Sequence, residues 1–249
     1  KNIASYKLKR KTWIAPFDEF VDGFADMVKQ YHSLEFYYIP YCDYVLAVGM
    51  TMTDDPVSPR TEDGDNDAVM ELKLLRDSLG WWPGLRRWVA NRAVKSETLQ
   101  ENVDTWYKIY PSERAVRFNE MEYHLPREAM AEALRRVRQT IEGNNLPIFF
   151  PVEVRAVAQD DAWLSPFYQR ESCSIAAHRI FSEDPMDYFP LIEPIYQDYE
   201  GRPHWAKMNT MTKETFAARY PRWQDFSQVR AQLDPQGKML NPYLKSLFL

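Results

Sequence analysis

The stretch GRPHWAK, residues 201–207, concentrates side chains that can hold a polar molecule. Its glycine and proline predict an unusual backbone conformation, and Trp205 would provide a flat wall. His204 and Lys207 carry polar groups that can converge on hydroxyl or carbonyl oxygens. The alternative is a turn between a helix and a strand with exposed charges. The density of functional groups in seven residues favours a binding site.

The segment PVEVRAVA reads as a strand with charged residues on one face. Because side chains alternate along a strand, Glu153 and Arg155 share a face and lie about 7 Å apart. Such a pair is costly to bury unless it is paired or used in function. From spacing alone, a structural ion pair, or simply the solvent face of the sheet, is the favoured interpretation.

The next predicted strand, SCSIAAHRIF, places small residues beside a histidine. Ser172, Ser174 and Ala176 share a face with His178. Their small size leaves space, and His178 adds a hydrogen-bond donor or acceptor at the end of that space. From the strand pattern alone, a structural histidine is the favoured interpretation.

A third strand, RAVRFNEMEYHL, carries Glu120 and Glu122 on one face. Paired carboxylates can perform acid–base chemistry. Arg114 and Arg117 are close in sequence, so a structural network of ion pairs is the favoured interpretation. Separately, the two cysteines are far apart in sequence, and we expect buried thiols rather than a disulfide or a metal site.

Composition limits the possible functions. The 249 residues carry a net charge of −5, which predicts no general affinity for nucleic acid. No apolar run reaches the roughly 18 residues of a transmembrane helix. The sequence has no GxGxxG or GxxxxGK[ST] motif, so another chain or region would supply most of any nucleotide site. The chain begins at Lys1, and we expect a processed product or a piece of a longer protein.

The hydrophobic pattern predicts an α+β fold with a mainly antiparallel sheet covered by helices. The predicted strands cover residues 4–14, 34–40, 43–53, 114–125, 148–158 and 172–181. The predicted helices cover residues 16–31, 126–143 and 185–199, with two more in 68–95 that break at LGWWPG. That block either packs on the sheet or lines an entrance. Residues 55–67 are predicted to form a loop, and the apolar tail is expected to pack on this domain or a partner.

Five segments occur here in the order seen in a known family: RFNEMEY, VEVR, LSPFYQRES, GRPHWAK and LDPQGKMLNPYL. From about Tyr6 to Phe248 the chain resembles the sugar-1,4-lactone oxidases. These are the D-arabinono-, L-gulono- and L-galactono-1,4-lactone oxidases and dehydrogenases, with alditol oxidase as a cousin. All belong to the vanillyl-alcohol-oxidase flavoprotein superfamily.

The resemblance implies that residues 1–249 form a substrate (cap) domain whose C-terminal tail returns toward an FAD-binding domain. That FAD domain, with its histidine-containing flavin-attachment motif, is absent from this sequence. FAD would therefore be bound mainly by a partner chain or an N-terminal segment. The implied reaction transfers hydride from a sugar lactone or polyol to flavin N5, and oxygen or a cytochrome then accepts the electrons.

The resemblance also assigns roles to residues. Glu153 would bind substrate hydroxyls, and Arg155 would stabilise negative charge on reduced flavin near its pyrimidine edge. Lys207 ends the family's His-Trp-Gly/Ala-Lys motif and would contact the hydroxyl that is oxidised. His204 would shape that pocket, and Asn241 would lie close to the flavin.

His178 falls on a strand that lines the substrate pocket in alditol oxidase, where the residue differs, so it would help to set substrate choice. Two other hypotheses stay open: a non-catalytic binding or assembly subunit of the same fold, and an α+β domain that binds a small polyol. The compartment is open too: cytoplasmic or periplasmic, or membrane-associated through a partner.

Overall fold

The computed structural model describes residues 4–60, 65–95, 100–111 and 115–249. The described strands are β1 (Lys7–Pro16), β2 (Ser33–Tyr38), β3 (Tyr44–Met52), β4 (Gln100–Thr105), β5 (Phe118–Pro126), β6 (Val152–Val157), β7 (Ser172–Ile180) and β8 (Arg202–Pro203). The described helices are α1 (Phe17–Met27), α2 (Asp65–Leu79), α3 (Pro83–Lys95), α4 (Trp106–Ile109), α5 (Met130–Gly143), α6 (Phe189–Asp198), α7 (Lys213–Arg219), α8 (Trp223–Leu233) and α9 (Pro242–Phe248).

These strands form one antiparallel sheet in the order β4-β1-β3-β2-β6-β7-β5-β8. Two units of similar order, β1-α1-β2-β3 and β5-α5-β6-β7, lie side by side and join where β2 pairs with β6. In each unit the last strand lies between the other two. The predicted α+β fold with a mainly antiparallel sheet is confirmed.

One face of the sheet is apolar because alternate residues of its strands are large and hydrophobic. Helices α1, α5 and α6 cover this face and complete the main core. The predicted apolar stripe of α5 is fully buried: Met130, Leu134, Val137 and Ile141. Each buried aliphatic side chain contributes about 1.5–3 kcal/mol, so this face holds the domain together.

The opposite face carries polar side chains across β2, β6, β7 and β5. Its register places Tyr37 opposite Glu153 and Glu35 opposite Arg155. The same alternation sets Glu120 opposite His178. We call this surface the polar face. Its charged residues meet because four neighbouring strands each direct alternate side chains to the same side.

The block between β3 and β4 forms α2 and α3, which break at Gly80–Trp82 inside the predicted LGWWPG segment. Helix α3 packs through Ala90 and Val94 against Ile39 and Cys42. Helix α2 begins at Asp65, inside the predicted loop of residues 55–67, of which residues 61–64 lie outside the described part. Helix α2 also lines a cavity, which agrees with one of the two interpretations of this block.

The apolar tail packs on the domain, as one of the two predicted possibilities. Leu247 is buried in the main core, and the Phe248 ring stacks on Trp223 with centroids 4.6 Å apart. The two cysteines are both buried and free, as predicted. Among the described residues, every helix is too short or too polar to cross a bilayer.

Candidate active site

A cavity of about 420 Å³ opens on the polar face. It brings together four of the predicted site residues, Glu153, Arg155, His178 and Lys207. Its apolar walls come from the sheet, from α2 and from the segment before β6: Ile39, Leu46, Val48, Ala68, Val69, Leu72, Phe118, Phe150 and Pro151. A mixed cavity of this kind suits a small ligand with both hydroxyls and an apolar face.

Arg155 lies between two carboxylates. Its Nη2 donates to Glu122 Oε1 at 2.8 Å, and its Nε lies 3.6 Å from Glu153 Oε1. Burial lowers the pKa of Arg155, but the charges of Glu153, Glu122 and Glu35 outweigh it and raise that pKa. The guanidinium therefore stays charged while 39% of its side chain remains exposed. It can still face a negatively charged group outside the sheet.

Lys207 and His178 converge on Glu120. The Lys207 ammonium donates to Glu120 Oε2, and His178 Nε2 lies 3.6 Å from Glu120 Oε1. Burial alone would raise the pKa of Glu120, but His178 and Lys207 outweigh it and lower that pKa to about 2. Glu120 is therefore an anion at neutral pH, and it fixes the cationic end of Lys207 in the cavity.

The backbone of the GRPHWAK segment is tied to β5 on both sides of Lys207. The amide of His204 donates to Glu122 O at 2.9 Å, and that of Met208 donates to Glu120 O at 3.0 Å. Farther on, the buried Glu193 accepts from Thr210 N at 2.7 Å. These bonds make the segment an edge of the sheet and place Lys207 at the cavity.

The other residues of this segment are mainly structural. The Trp205 indole packs among Phe216, Tyr220 and Trp223 and donates to Leu164 O. It also lines a cavity together with Lys207, which agrees with the expected wall. The left-handed backbone conformation belongs to Glu200, with φ 55°, rather than to the glycine. Gly201 is needed for close approach instead, because a Cβ there would lie 2.6 Å from Tyr196 O.

His204 lies on the polar face but outside the cluster around Lys207. Its Nδ1 accepts from Ala206 N at 3.1 Å, and its ring centroid is 5.9 Å from that of His124. His124 is almost completely buried, and its Nδ1 lies 2.7 Å from Ser174 Oγ. Burial, followed by nearby cationic groups, lowers the pKa of His124 to about 3. The space expected beside Ser174 is therefore filled by this neutral imidazole.

Asn241 caps helix α9, where its side chain accepts from Leu244 N at 2.8 Å. It lines a second cavity of about 410 Å³ together with Tyr243, Asn209 and Lys207. Lys207 therefore borders both cavities, whereas Asn241 lines only the second of them. The predicted position of Asn241 near a flavin stays a prediction.

The sequence predicted that Glu120 and Glu122 pair with the arginines nearest to them in sequence, but their partners in the structure are different. Glu120 pairs with Lys207 and Glu122 with Arg155, both of them predicted site residues. Arg117 instead lies over the Phe181 ring at 4.2 Å, and Arg114 is outside the described residues. Sequence spacing pointed to the nearest arginines, whereas strand pairing brought cations from β6 and from the segment after β8.

Sequence reasoning missed Glu35 and Tyr37. The Tyr37 hydroxyl lies 3.4 Å from Glu35 Oε1 and 3.5 Å from Glu153 Oε1. A signal was present, because the alternation in SLEFYY places Glu35 and Tyr37 opposite the buried Leu34, Phe36 and Tyr38.

The sequence of this chain matches a known protein family. The family model for D-arabinono-1,4-lactone oxidase matches residues 1–247. The chain belongs to this family.

Individual relatives agree with that membership. The chain is 38% identical over 236 residues to the L-gulono-1,4-lactone dehydrogenase of Mycobacterium tuberculosis, covering 92% of this chain and 53% of the relative. It is 30% identical over 256 residues to the L-gulonolactone oxidase of Bos taurus, covering 99% of this chain and 58% of the relative. The chain thus spans a little over half the length of these curated relatives.

Solved structures share the fold at low sequence identity. The cholesterol oxidase of Brevibacterium sterolicum superposes with a TM-score of 0.71 at 13% identity, covering 98% of this chain and 60% of that chain. A chitooligosaccharide oxidase superposes with a TM-score of 0.55 at 10% identity, covering 99% of this chain and 55% of that one. The fold is therefore that of vanillyl-alcohol-oxidase-type enzymes, as predicted.

Proposed function

We propose that residues 1–249 are the substrate-binding part of a flavin-dependent oxidoreductase that oxidises an aldono-1,4-lactone or a related polyol. The observation that carries this proposal is the meeting of Glu153, Arg155 and Lys207 in one cavity on the polar face. Membership of the D-arabinono-1,4-lactone oxidase family supports the substrate class. The catalytic roles of these three residues are part of the proposal.

The residues fit a flavin outside the sheet. Arg155 is held charged by carboxylates beneath it and keeps 39% of its side chain exposed, which suits the anionic edge of a reduced flavin ring. When bound, FAD would supply the hydride acceptor. We propose that a partner chain or a segment outside this sequence binds most of the FAD, and that oxygen or a cytochrome reoxidises it.

Within the cavity each residue has a distinct task. Glu153 would accept hydrogen bonds from substrate hydroxyls through a carboxylate that is 9% exposed. Lys207 would donate a hydrogen bond to the oxygen of the hydroxyl that is oxidised and stabilise negative charge on that oxygen. His178, which also lines the cavity, would form a hydrogen bond with a more distant hydroxyl of the substrate. For an aldono-1,4-lactone, oxidation at C2 would give a 2-keto lactone that enolises to an ascorbate-type product.

Lactone-driven loss of flavin absorbance in the full-length protein tests the proposal. We expect L-gulono-1,4-lactone to bleach the flavin, and Arg155→Ala or Lys207→Ala to slow bleaching by about 100-fold or more, as when a charge-stabilising donor is removed. Arg92→Ala and Lys213→Ala remove exposed cations of the same type and should react like the parent protein. Normal bleaching in both site variants would refute the proposal.

A further inference from the structure

Two carboxylates flank a single phenol at the edge of the cavity. The Tyr37 hydroxyl lies within 3.4 Å of Glu35 Oε1 and 3.5 Å of Glu153 Oε1. Strand register fixes this arrangement, because Tyr37 is directly opposite Glu153 and Glu35 is two residues away on the same face of β2. Only Glu153 and Tyr37 of these three line the cavity.

The number of protons on these three groups decides which hydrogen bonds they can form. A tyrosine hydroxyl has one proton to donate, and an ionised carboxylate has none. If both carboxylates were ionised, one contact would place lone pair against lone pair and two negative charges would flank the same oxygen. A continuous hydrogen-bond chain needs one of the two carboxyl groups to carry a proton.

The surroundings distinguish the two carboxyl groups. Glu153 Oε1 lies 3.6 Å from Arg155 Nε, so Glu153 has a cationic group directly beside it. Burial, followed by the negative charge of Glu153, raises the pKa of Glu35 to about 7, although Arg155, Arg10 and Tyr37 act to lower it. On the neighbouring strand β3, Glu35 is paired with the apolar Val48. Tyr110 is also near Glu35: burial raises the pKa of Tyr110, and the charge of Glu35 adds a smaller contribution in the same direction.

We propose that Glu35 is a positioning residue for Glu153 that acts through Tyr37. Its protonated carboxyl donates to Tyr37 Oη, and the Tyr37 hydroxyl donates to Glu153 Oε1. Glu153 is thereby fixed as an acceptor toward the cavity. The inference rests on the proposed function in so far as Glu153 binds substrate hydroxyls.

The chain of hydrogen bonds makes substrate binding depend on pH. When Glu35 loses its proton, it ceases to donate to Tyr37 and adds a negative charge near Glu153. Among the described residues, Arg10 and Arg155 are cations near Glu35, and Tyr37, Tyr110 and Glu153 are other titratable groups around it. We therefore expect lactone binding to weaken as Glu35 ionises.

The first test is a carbon-13 NMR titration of glutamate side-chain carboxyls in the full-length protein. We expect one carboxyl with a midpoint near pH 7, far above the usual value of about 4.3. That signal should be absent in Glu35→Gln and present in Glu101→Gln, which alters an exposed glutamate on β4. A wild-type spectrum in which every glutamate titrates below about pH 5.5 would overturn the inference.

The second test separates a positioning role from a merely structural one. Glutamine keeps a neutral donor, so Glu35→Gln should retain the wild-type KM for the lactone at about pH 6 and lose its rise toward about pH 8. Glu35→Ala should have a KM about tenfold above that of the wild type at about pH 6, since the Tyr37 hydroxyl loses its donor, and this KM should change little toward about pH 8. A Glu35→Gln protein with the same KM and pH profile as Glu35→Ala would contradict the proposal.

The two readouts also separate this inference from the proposed function. A carboxyl midpoint near 7 in a protein that never reduces flavin with lactone supports proton sharing by Glu35 and overturns the proposed function. Normal lactone turnover with no such carboxyl overturns the role of Glu35 and leaves the proposed function standing.

Discussion

The ion pair between Lys207 and Glu120 is the contact that most directly shapes the candidate site. Both groups are partly buried, with side-chain exposures of 29% and 11%. Removing one partner of such a pair leaves the other charge uncompensated. Lys207 therefore depends on Glu120 for its position, and the activity of Lys207 should be sensitive to a residue that need not touch the substrate.

We predict that Glu120→Gln lowers kcat/KM for the lactone by about 10–100-fold, because the Lys207 ammonium loses its anionic tether. Steady-state kinetics of the full-length protein would measure this, with circular dichroism to verify folding. Glu128→Gln, at an exposed glutamate just after β5, should match the wild type. Unchanged kinetics in the Glu120 variant would show that Lys207 needs no tether.

The site residues differed in how far sequence could predict them. Glu153 and Arg155 follow from alternation along one strand, and Lys207 follows from its motif. The partnership of Lys207 with Glu120 could not be predicted, because it requires the segment after β8 to run along the edge of β5. That contact joins residues 87 positions apart, and spacing carries no information about it.

At the scale of elements, the turn between α6 and β8 is what brings the GRPHWAK segment to β5. Gly201 makes this turn possible by packing its backbone closely against Tyr196 and Tyr123. Its amide donates to Tyr196 O at 2.9 Å. A side chain at this position must displace backbone on one side and a buried aromatic ring on the other.

We predict that Gly201→Ala lowers the free energy of unfolding by about 1–3 kcal/mol, as overpacking does elsewhere. The added Cβ would lie 2.6 Å from Tyr196 O and 3.0 Å from Tyr123 Cδ1. Urea unfolding would measure the change. Gly143→Ala is the matched control, since a Cβ there meets nothing within 4 Å. Equal stability of the two variants would contradict this explanation of Gly201.

Elements with a strong hydrophobic period were predictable, and those defined by pairing were not. The stripes of α1 and α5 predicted both helices, and the alternation of β6 and β7 predicted the polar face. Strand β4 was missed because QENVDT is polar and becomes a strand only by pairing with β1. Strand β8 has two residues, too few for any periodicity to show.

At the scale of the whole molecule, the sheet separates two tasks. One face holds the core, and the other holds a network of partly buried charges. The second face makes the stability of the fold depend on pH, because the buried His124 must stay neutral and the paired Glu120 must stay ionised. In both groups the folded-state pKa lies below its ordinary value.

We predict that the contribution of His124 to the stability of the domain decreases as pH falls from about 6.5 toward 3, whereas the contribution of Glu35, whose folded-state pKa is raised to about 7, changes in the opposite direction between about pH 7 and 4.5. The unfolded state takes up a proton on His124 near its ordinary pKa of 6.5, whereas the folded state resists until about 3. The loss reaches up to about 1.4 kcal/mol per pH unit for this histidine. Glu120 adds a further loss as pH falls from about 4.5 toward 2.

Urea unfolding at several pH values would test the contribution of His124. His124→Gln should flatten the pH dependence between about pH 6 and 4, whereas His32→Gln, at an exposed histidine, should leave it unchanged. The same slope in all three proteins would show that His124 is not the group responsible.

A crystal structure of the full-length protein with a bound aldono-1,4-lactone would show whether the cavity on the polar face binds the substrate. We predict that the lactone lies in the cavity on the polar face, with hydroxyl oxygens within hydrogen-bond distance of Glu153 and Lys207. A lactone bound only in the second cavity, beside Asn241 and Tyr243 and out of reach of Glu153, would contradict the account.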